Sequence, residues 1–312
     1  MFEAIADIVV YSLLRMAPGT PLADSLNFFI YDILKISAMM FLVISFIAFL
    51  RSYLSPARIK QLLSQKSFGI GYLAAALFGA VSPFCSCSSI PLFIGFIESG
   101  IPLGVAFAFL ITSPLVNEVL FVLMLGTFGL KTALLYAGFG VLLGVIGGVV
   151  LERLGLEKDL IGFDSKPLEL ALPKTILEKI KYALTEARET FYWIFPYLLA
   201  GVAIGAAIHG FIPTDWIVRH INSRSVLAIP IAVVLGVPMY AGCSTLVPIV
   251  FAFTQKGIAI GTAMAFMMAV SGLSLPEAIL LKRVMRLRLL LVFFGVVAIG
   301  IVGVGYLFNL LY

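Results

Sequence analysis

Three cysteines stand in this chain of 312 residues, Cys85, Cys87 and Cys243, each inside an apolar stretch and each beside hydroxyl side chains: Ser86, Ser88 and Ser89 in the first cluster, Ser244 and Thr245 in the second. Thiolates are soft ligands, so three sulfurs drawn together could hold a soft, thiophilic atom. If Cys85-Ser86-Cys87 is extended, alternate side chains point the same way and both thiols share one face. The bland reading is that cysteine, serine and threonine are ordinary packing residues between apolar helices. A redox pair is the competing chemistry. The single-residue spacing of Cys85 and Cys87 strains a disulfide, and the Cys-x-x-Cys pattern is absent.

Each cluster lies between two prolines, Pro83 and Pro91 in the first, Pro238 and Pro248 in the second. Proline removes a backbone donor and clashes with the preceding turn, so each pair is expected to bracket a segment that is not regular helix. A second pair of breaks follows in Thr112-Ser113-Pro114-Leu115-Val116-Asn117-Glu118 and in Ser271-Gly272-Leu273-Ser274-Leu275-Pro276-Glu277. Each contains a proline, Pro114 or Pro276, and ends in a glutamate. A carboxylate at membrane depth is costly and marks a functional site by default. Glu118, deep in its apolar run, is expected to be buried and, with Asn117, to lie on a proton or substrate pathway. For Glu277 the alternative is a side chain reaching toward the basic residues that follow it. Asp32 and Lys35, like Arg15, are expected near a membrane boundary in solvated or interfacial positions.

The elements that must position these residues are set by composition. The chain is 62% hydrophobic and 12% charged, with a mean hydropathy of +1.12, against about 25% charged residues in a soluble domain. Its charges are bunched between eight apolar runs, roughly 26–50, 67–97, 101–126, 131–151, 190–210, 225–254, 258–281 and 289–311. Each is long enough to cross about 30 Å of hydrocarbon as a helix. The expected fold is therefore an all-α integral membrane protein with the lipid bilayer as its partner. A formal charge of +5 reflects basic loops rather than a nucleic-acid surface.

Shifting the sequence by 157 positions lays Gly79 on Gly236, Pro91 on Pro248, Gly100 on Gly257, Ile101 on Ile258 and Gly104 on Gly261. The organisation this predicts is an N-terminal interfacial segment (1–26), a first transmembrane repeat (27–150), a charged linker with an amphipathic helix (151–189) and a second repeat (190–312). That makes about eight transmembrane helices in two repeats of four, with broken helices near the midplane, where breaks matched by a repeat form the default substrate site. Four basic loops placed inside would give parallel repeats, with both termini and the linker outside. Glycines four apart, Gly100 and Gly104 or Gly140 and Gly144, read as close helix packing. His209 and His220 have no metal-ligand spacing. There is no phosphate loop, catalytic constellation or cofactor motif, so an enzyme is not expected.

On PFCSCSSIPL at 83–92, ITSPLVNE at 111–118, YAGCSTLVPI at 240–249 and SGLSLPE at 271–277, the chain resembles the ArsP-type permeases, a group that includes organoarsenical efflux proteins. The resemblance covers all but the extreme N-terminus and the linker. It implies an eight-span permease of the cytoplasmic membrane that exports trivalent organoarsenicals, with substrate roles at Cys85, Cys87 and Cys243. Coupling to protons would supply the energy. The alternatives are a permease for a sulfur-containing metabolite and a membrane thiol oxidoreductase.

Overall fold

The computed structural model describes residues 2–51, 69–82, 86–98, 100–161, 175–211, 227–239 and 243–312, and among them it is helical with no strand. The helices are α1 (Phe2–Asp7), α2 (Pro21–Arg51), α3 (Ile70–Val81), α4 (Ser86–Glu98), α5 (Leu103–Leu115), α6 (Glu118–Arg153), α7 (Ile176–Phe211), α8 (Ala228–Gly236), α9 (Cys243–Gln255), α10 (Ile260–Gly272), α11 (Leu275–Leu281) and α12 (Leu287–Leu311). Among the described residues, Glu118–Arg153, Ile260–Leu281 and Leu287–Leu311 are long and apolar enough to cross a membrane.

The N-terminal segment is docked rather than loose. Ala6 and Val10 are fully buried, α1 packs on α2, and Asn27 Nδ2 donates to Asp7 Oδ1 at 2.7 Å. The helix α2 opens on Pro21, whose fixed φ and missing N–H suit a first helical position, and lies against α7. The amphipathic stretch expected near 174–189 is not a separate element. It runs into the following apolar run as one 36-residue helix that contains Pro196.

Many of the other helices are half-length. At about 1.5 Å per residue, the 12 or 13 residues of α3, α4 and α5 reach about 18–20 Å, too short for the bilayer core. Their directions follow from what they touch. Gly71 faces Val105, with 3.5 Å from its Cβ position, and Gly79 faces Phe109 O at 3.0 Å and Ser113 N at 3.2 Å, so α3 runs parallel to α5. Ser89 bonds Ser113 at 2.6 Å and the Phe93 ring lies 5.2 Å from that of Phe107, so α4 runs antiparallel to α5. The end of α3 and the start of α4 therefore lie together at the C-terminal end of α5. Run 67–97 thus contains two half-length helices of opposite direction rather than one continuous helix.

All thirteen residues of α5 are buried. The chain breaks after it at Val116 and Asn117, both extended, and continues as α6. A second break in α6 falls at Gly129, where φ is 82°, a left-handed angle that glycine alone takes without strain. Beyond it α6 returns antiparallel along α5. Gly140 lies against Val116, Gly144 against Thr112, and Gly148 against Gly104 O and Ala108. Close packing through glycines is thus found as expected, except that Gly100, with φ 76°, makes the turn between α4 and α5.

The second half follows the same plan. Gly257 takes φ 88°, and the hydrogen bonds Gly100 N to Ile97 O and Ile101 N to Phe96 O recur as Gly257 N to Thr254 O and Ile258 N to Phe253 O. Gly236 faces Phe266 O at 3.2 Å as Gly79 faces Phe109 O, and Gly261 faces Gly305 and Asn309 as Gly104 faces Gly148 and Glu152. Between the halves, Gly300 packs on Leu143 while Gly147 lies 3.9 Å from Val296, and Thr132 bonds Tyr312 at 2.7 Å. The later part of α6 and α12 are consequently antiparallel, which does not fit repeats set parallel in the membrane.

The linker is likewise tied down where it begins. Arg286 N donates to Asp159 O at 2.7 Å and Ile161 N to Val284 O at 2.8 Å, with Asp159 and Arg286 side chains 3.9 Å apart.

Glycine contacts of this kind make a sharp test. Gly148→Ala places a methyl against the Gly104 carbonyl and Ala108 and is expected to lower stability by about 1–3 kcal/mol. Gly138→Ala, whose methyl would meet nothing within 4 Å, should leave it equal or slightly higher, because alanine favours helix. Thermal unfolding in detergent compares the two.

Candidate functional site

The breaks in the helices gather at one level of the molecule. Ser89 on Ser113 ties the start of α4 to the end of α5. Leu115, the last residue of α5, packs on Gly272, the last of α10, with Cδ2 2.6 Å from the Cβ position. Leu275 N, opening α11, donates to Val237 O at the end of α8 at 2.9 Å. The helix α11 also packs on α4 and α7. Residue 82, residues 116–117, 237–239 and 273–274 are thus, among the described residues, the connections beside helix ends that converge.

Ser86, Cys87, Ser88 and Ser89 form the first turn of α4, and Cys243, Ser244 and Thr245 the first turn of α9. This corrects the extended Cys85-Ser86-Cys87: the chain is already helical at Ser86. Pro83 and Cys85 lie outside the described residues, as do the side chains of Ser86, Cys87, Ser88, Cys243, Ser244 and Thr245. Ser89 is fully buried.

The prolines also act differently from expectation. Pro91 and Pro248 each sit inside their helix at the sixth position, so they do not close a non-helical segment. Proline has no N–H to give the carbonyl four residues back, which for these two is Cys87 and Ser244. Each of these first turns therefore carries, besides the N–H groups that any helix start leaves without intrahelical partners, a carbonyl that its own helix cannot satisfy. Pro114 lies buried in the last turn of α5 and Pro276 in the first turn of α11, where it costs the helix no bond. Pro238 follows α8 and is half-buried.

The two glutamates exchange places relative to expectation. Glu118 is exposed at the start of α6, behind a half-buried Asn117 whose side chain caps that helix by accepting from Leu120 N at 2.8 Å. Glu277, in the first turn of α11, is 1% exposed. Asp32 is 7% exposed, not solvated as the sequence suggests.

Sequence reasoning also missed the pair in which Tyr72 OH donates to the Glu152 carboxylate, joining α3 to the end of α6 beside Gly104. The signal was there in Gly104, whose lack of a side chain makes room for Glu152. Among the described residues no cluster of histidine, cysteine and acidic side chains could hold a metal ion.

A helical membrane protein with paired half-helices whose starts carry thiols and hydroxyls has the build of a permease. The chain belongs to the ArsP-type family of predicted permeases, which matches residues 22–310. It is similar to a UPF0718 protein of Methanocaldococcus jannaschii, 26% identical over 84% of this chain and 90% of that protein. It is similar also to the UPF0718 protein YcgR of Bacillus subtilis, 24% identical over 76% and 81% of the two chains. A putative two-component membrane permease complex subunit of Streptococcus mutans is 23% identical over 83% and 87%. No solved structure matches.

The burial of the two glutamates sets a prediction. An ammonium at position 277 would be enclosed at a cost of several kcal/mol, so Glu277→Lys should fail to give a monodisperse protein on extraction from membranes. Glu118→Lys should extract like the parent chain, as size-exclusion chromatography would show.

Proposed function

We propose that this permease is a proton-coupled secondary transporter of the cytoplasmic membrane that exports a thiophilic small solute, trivalent organoarsenicals first among them. The observation that carries this reading is that Ser86-Cys87 and Cys243 open two half-length helices, α4 and α9, which on this reading start inside the membrane. Helix starts at membrane depth present free N–H groups and a positive end to a polar solute, and thiols beside them select soft atoms. Cys85, Cys87 and Cys243 would bind the solute, with Ser86, Ser88, Ser89, Ser244 and Thr245 lining its path. The buried Glu277 and the exposed Asn117-Glu118 would serve the proton or the pathway.

The architecture we propose is two repeats of opposite orientation, each with three crossings and one re-entrant hairpin. In the first these are α2, the broken span of α5 with the start of α6, the rest of α6, and the hairpin α3–α4. In the second they are α7, α10 with α11, α12, and the hairpin α8–α9. Support comes from the helix bounds, since α4 and α9 start at Ser86 and Cys243 and α5 and α10 at Leu103 and Ile260, 157 positions apart in both cases. The antiparallel contact of α6 with α12 through Leu143 and Gly300, themselves 157 apart, supports the opposite orientation. So does the charge distribution. Among the described residues, Arg51, Arg153, Lys158, Lys179, Lys181, Arg188, Lys282, Arg283, Arg286 and Arg288 would fall toward one side, against Arg15, Lys35, Lys131 and Lys256 toward the other. The basic side is cytoplasmic by the positive-inside rule. The linker then lies inside, while α1 and the end of α12 lie outside.

Two measurements test this. Everted vesicles carrying the protein should accumulate methylarsenite when acidified inside, and replacing all three cysteines by serine should abolish it; retained transport would exclude thiol coordination. In that cysteine-free background, Lys158→Cys should react with a membrane-impermeant maleimide in everted vesicles but not in intact cells, and Lys256→Cys the reverse. Equal labelling of both from one side would sink the inverted arrangement.

A further inference from the structure

Asp32 lies eleven residues into the 31-residue α2, which the proposed architecture makes the first crossing. It is 7% exposed, and its Oδ2 is buried with no hydrogen-bond partner. The nearest cation in sequence, Lys35, is close enough for its charge to act on the Asp32 carboxylate, but its Nζ donates to Tyr31 OH at 3.1 Å and stands 5.1 Å from the Tyr31 ring centre. The elements packed on α2 are α1, the helical turn Ile8–Leu13 that follows it and carries Tyr11, α4 and α7. Of their ionisable side chains, Glu3 and Asp7 belong to α1, where Asp7 accepts from Asn27. In α4 the ionisable residue is Glu98, at the far end from Ser86. In α7 no acidic or basic residue occurs between Glu189 and His209. Phe41 meets Phe191; in the proposed inverted arrangement α2 and α7 are antiparallel, and Asp32 then stands opposite that uncharged stretch.

A carboxylate enclosed with one oxygen left without a hydrogen bond is costly, and a neutral acid in the same place is far less so. The position 157 residues on is Glu189, a second carboxylate, which is exposed. In the proposed inverted arrangement these two acids occupy equivalent sites on opposite sides of the midplane, Asp32 toward the outer face and Glu189 toward the cytoplasm. One is shut and the other open, as expected when one of two swapped half-structures is closed.

We propose that Asp32 is the acceptor of the transported proton: its carboxylate takes one H⁺ from the outer aqueous phase when that side opens, becomes the neutral acid as it is enclosed, and releases the same H⁺ when the cytoplasmic path opens. No electron moves and no bond besides O–H forms or breaks. The assignment rests on the reading of the protein as a proton-coupled transporter, and it moves the principal proton site from the glutamates at the helix breaks to the first span.

The test has one arm that needs no solute. The full-length protein in liposomes is treated with dicyclohexylcarbodiimide, which adds to protonated carboxyls in apolar surroundings, across a pH series, and adducts are mapped by mass spectrometry. An adduct is expected on Asp32, forming at a rate that falls about tenfold per pH unit once the acid is deprotonated, and absent from Asp32→Asn. The second arm measures methylarsenite accumulation driven by a pH gradient in everted vesicles. Asp32→Asn, close in shape to the neutral acid, should lose it by at least about tenfold, and Asp32→Glu should restore a part of it with a displaced pH profile. No adduct on Asp32 at any pH, or gradient-driven accumulation unchanged in Asp32→Asn, would overturn the proposal. If the parent protein fails to transport methylarsenite, only the solute reading falls, and the labelling arm still decides the protonation of Asp32.

Discussion

A helix that stops inside an apolar interior leaves four N–H or four C=O groups unpaired at its end, and the rest of this structure depends on how those ends are housed. The helices α5 and α10 are 13 residues each, buried along nearly their whole length, and end back to back at Leu115 and Gly272. Unsatisfied backbone in a membrane interior costs several kcal/mol per group. The chain answers by gathering other helix ends at the same place, so that starts face ends. The contacts Ser89 with Ser113 and Leu275 with Val237 are two visible instances.

Close packing follows from that arrangement. A half-length helix has little surface with which to hold its neighbours, so approach must be tight. At Gly104, Gly144 and Gly148 in one half and Gly261 and Gly305 in the other, backbone or short side chains occupy the space a Cβ would need. The two halves differ where the packing meets the membrane edge. In the first, Tyr72 bonds the Glu152 carboxylate; in the second, the equivalent position is Asn309, whose Oδ1 accepts from Gly261 N at 2.7 Å. Glu152 thus ties the hairpin of α3 and α4 to the end of α6, whereas Asn309 holds the start of α10.

Much of this was written in the sequence, and what was not has a physical cause. Gly100-Ile101 and Gly257-Ile258 marked the repeat, but that Gly100 is a left-handed turn after α4 was not read from its spacing to Gly104, which suggested close packing. The breaks near residues 83 and 238 were legible from proline and run length. The return of α4 beside α3 was not, because hydropathy reports how much apolar chain there is and not which way it points. Thirty apolar residues describe a tilted span or two half-helices equally well. Pro91 misled because proline near a helix start is tolerated, and the helix resumed at Ser86. Glu118 and Glu277 exchanged burial because each opens a helix, and the neighbours of a helix start are set by tertiary packing, not by depth in an apolar run. The charged linker read as solvated, yet its first residues pair with the turn before α12, a contact more than 120 positions away along the chain.

The division of the thiols between the two hairpins bears on how a soft solute could be released. A transport site must hold its cargo firmly enough to select it and loosely enough to let it go. Three sulfurs on one rigid element would bind a trivalent arsenical too firmly to turn over. Here Cys85 and Cys87 accompany the hairpin of α3 and α4, and Cys243 that of α8 and α9, so on the proposed reading the number of sulfurs reaching the solute depends on how closely the hairpins approach. Movement of one half against the other, the same movement that opens a path to water, would withdraw one sulfur and leave a weaker site. Selection and release would then follow from one displacement, without a separate device for either.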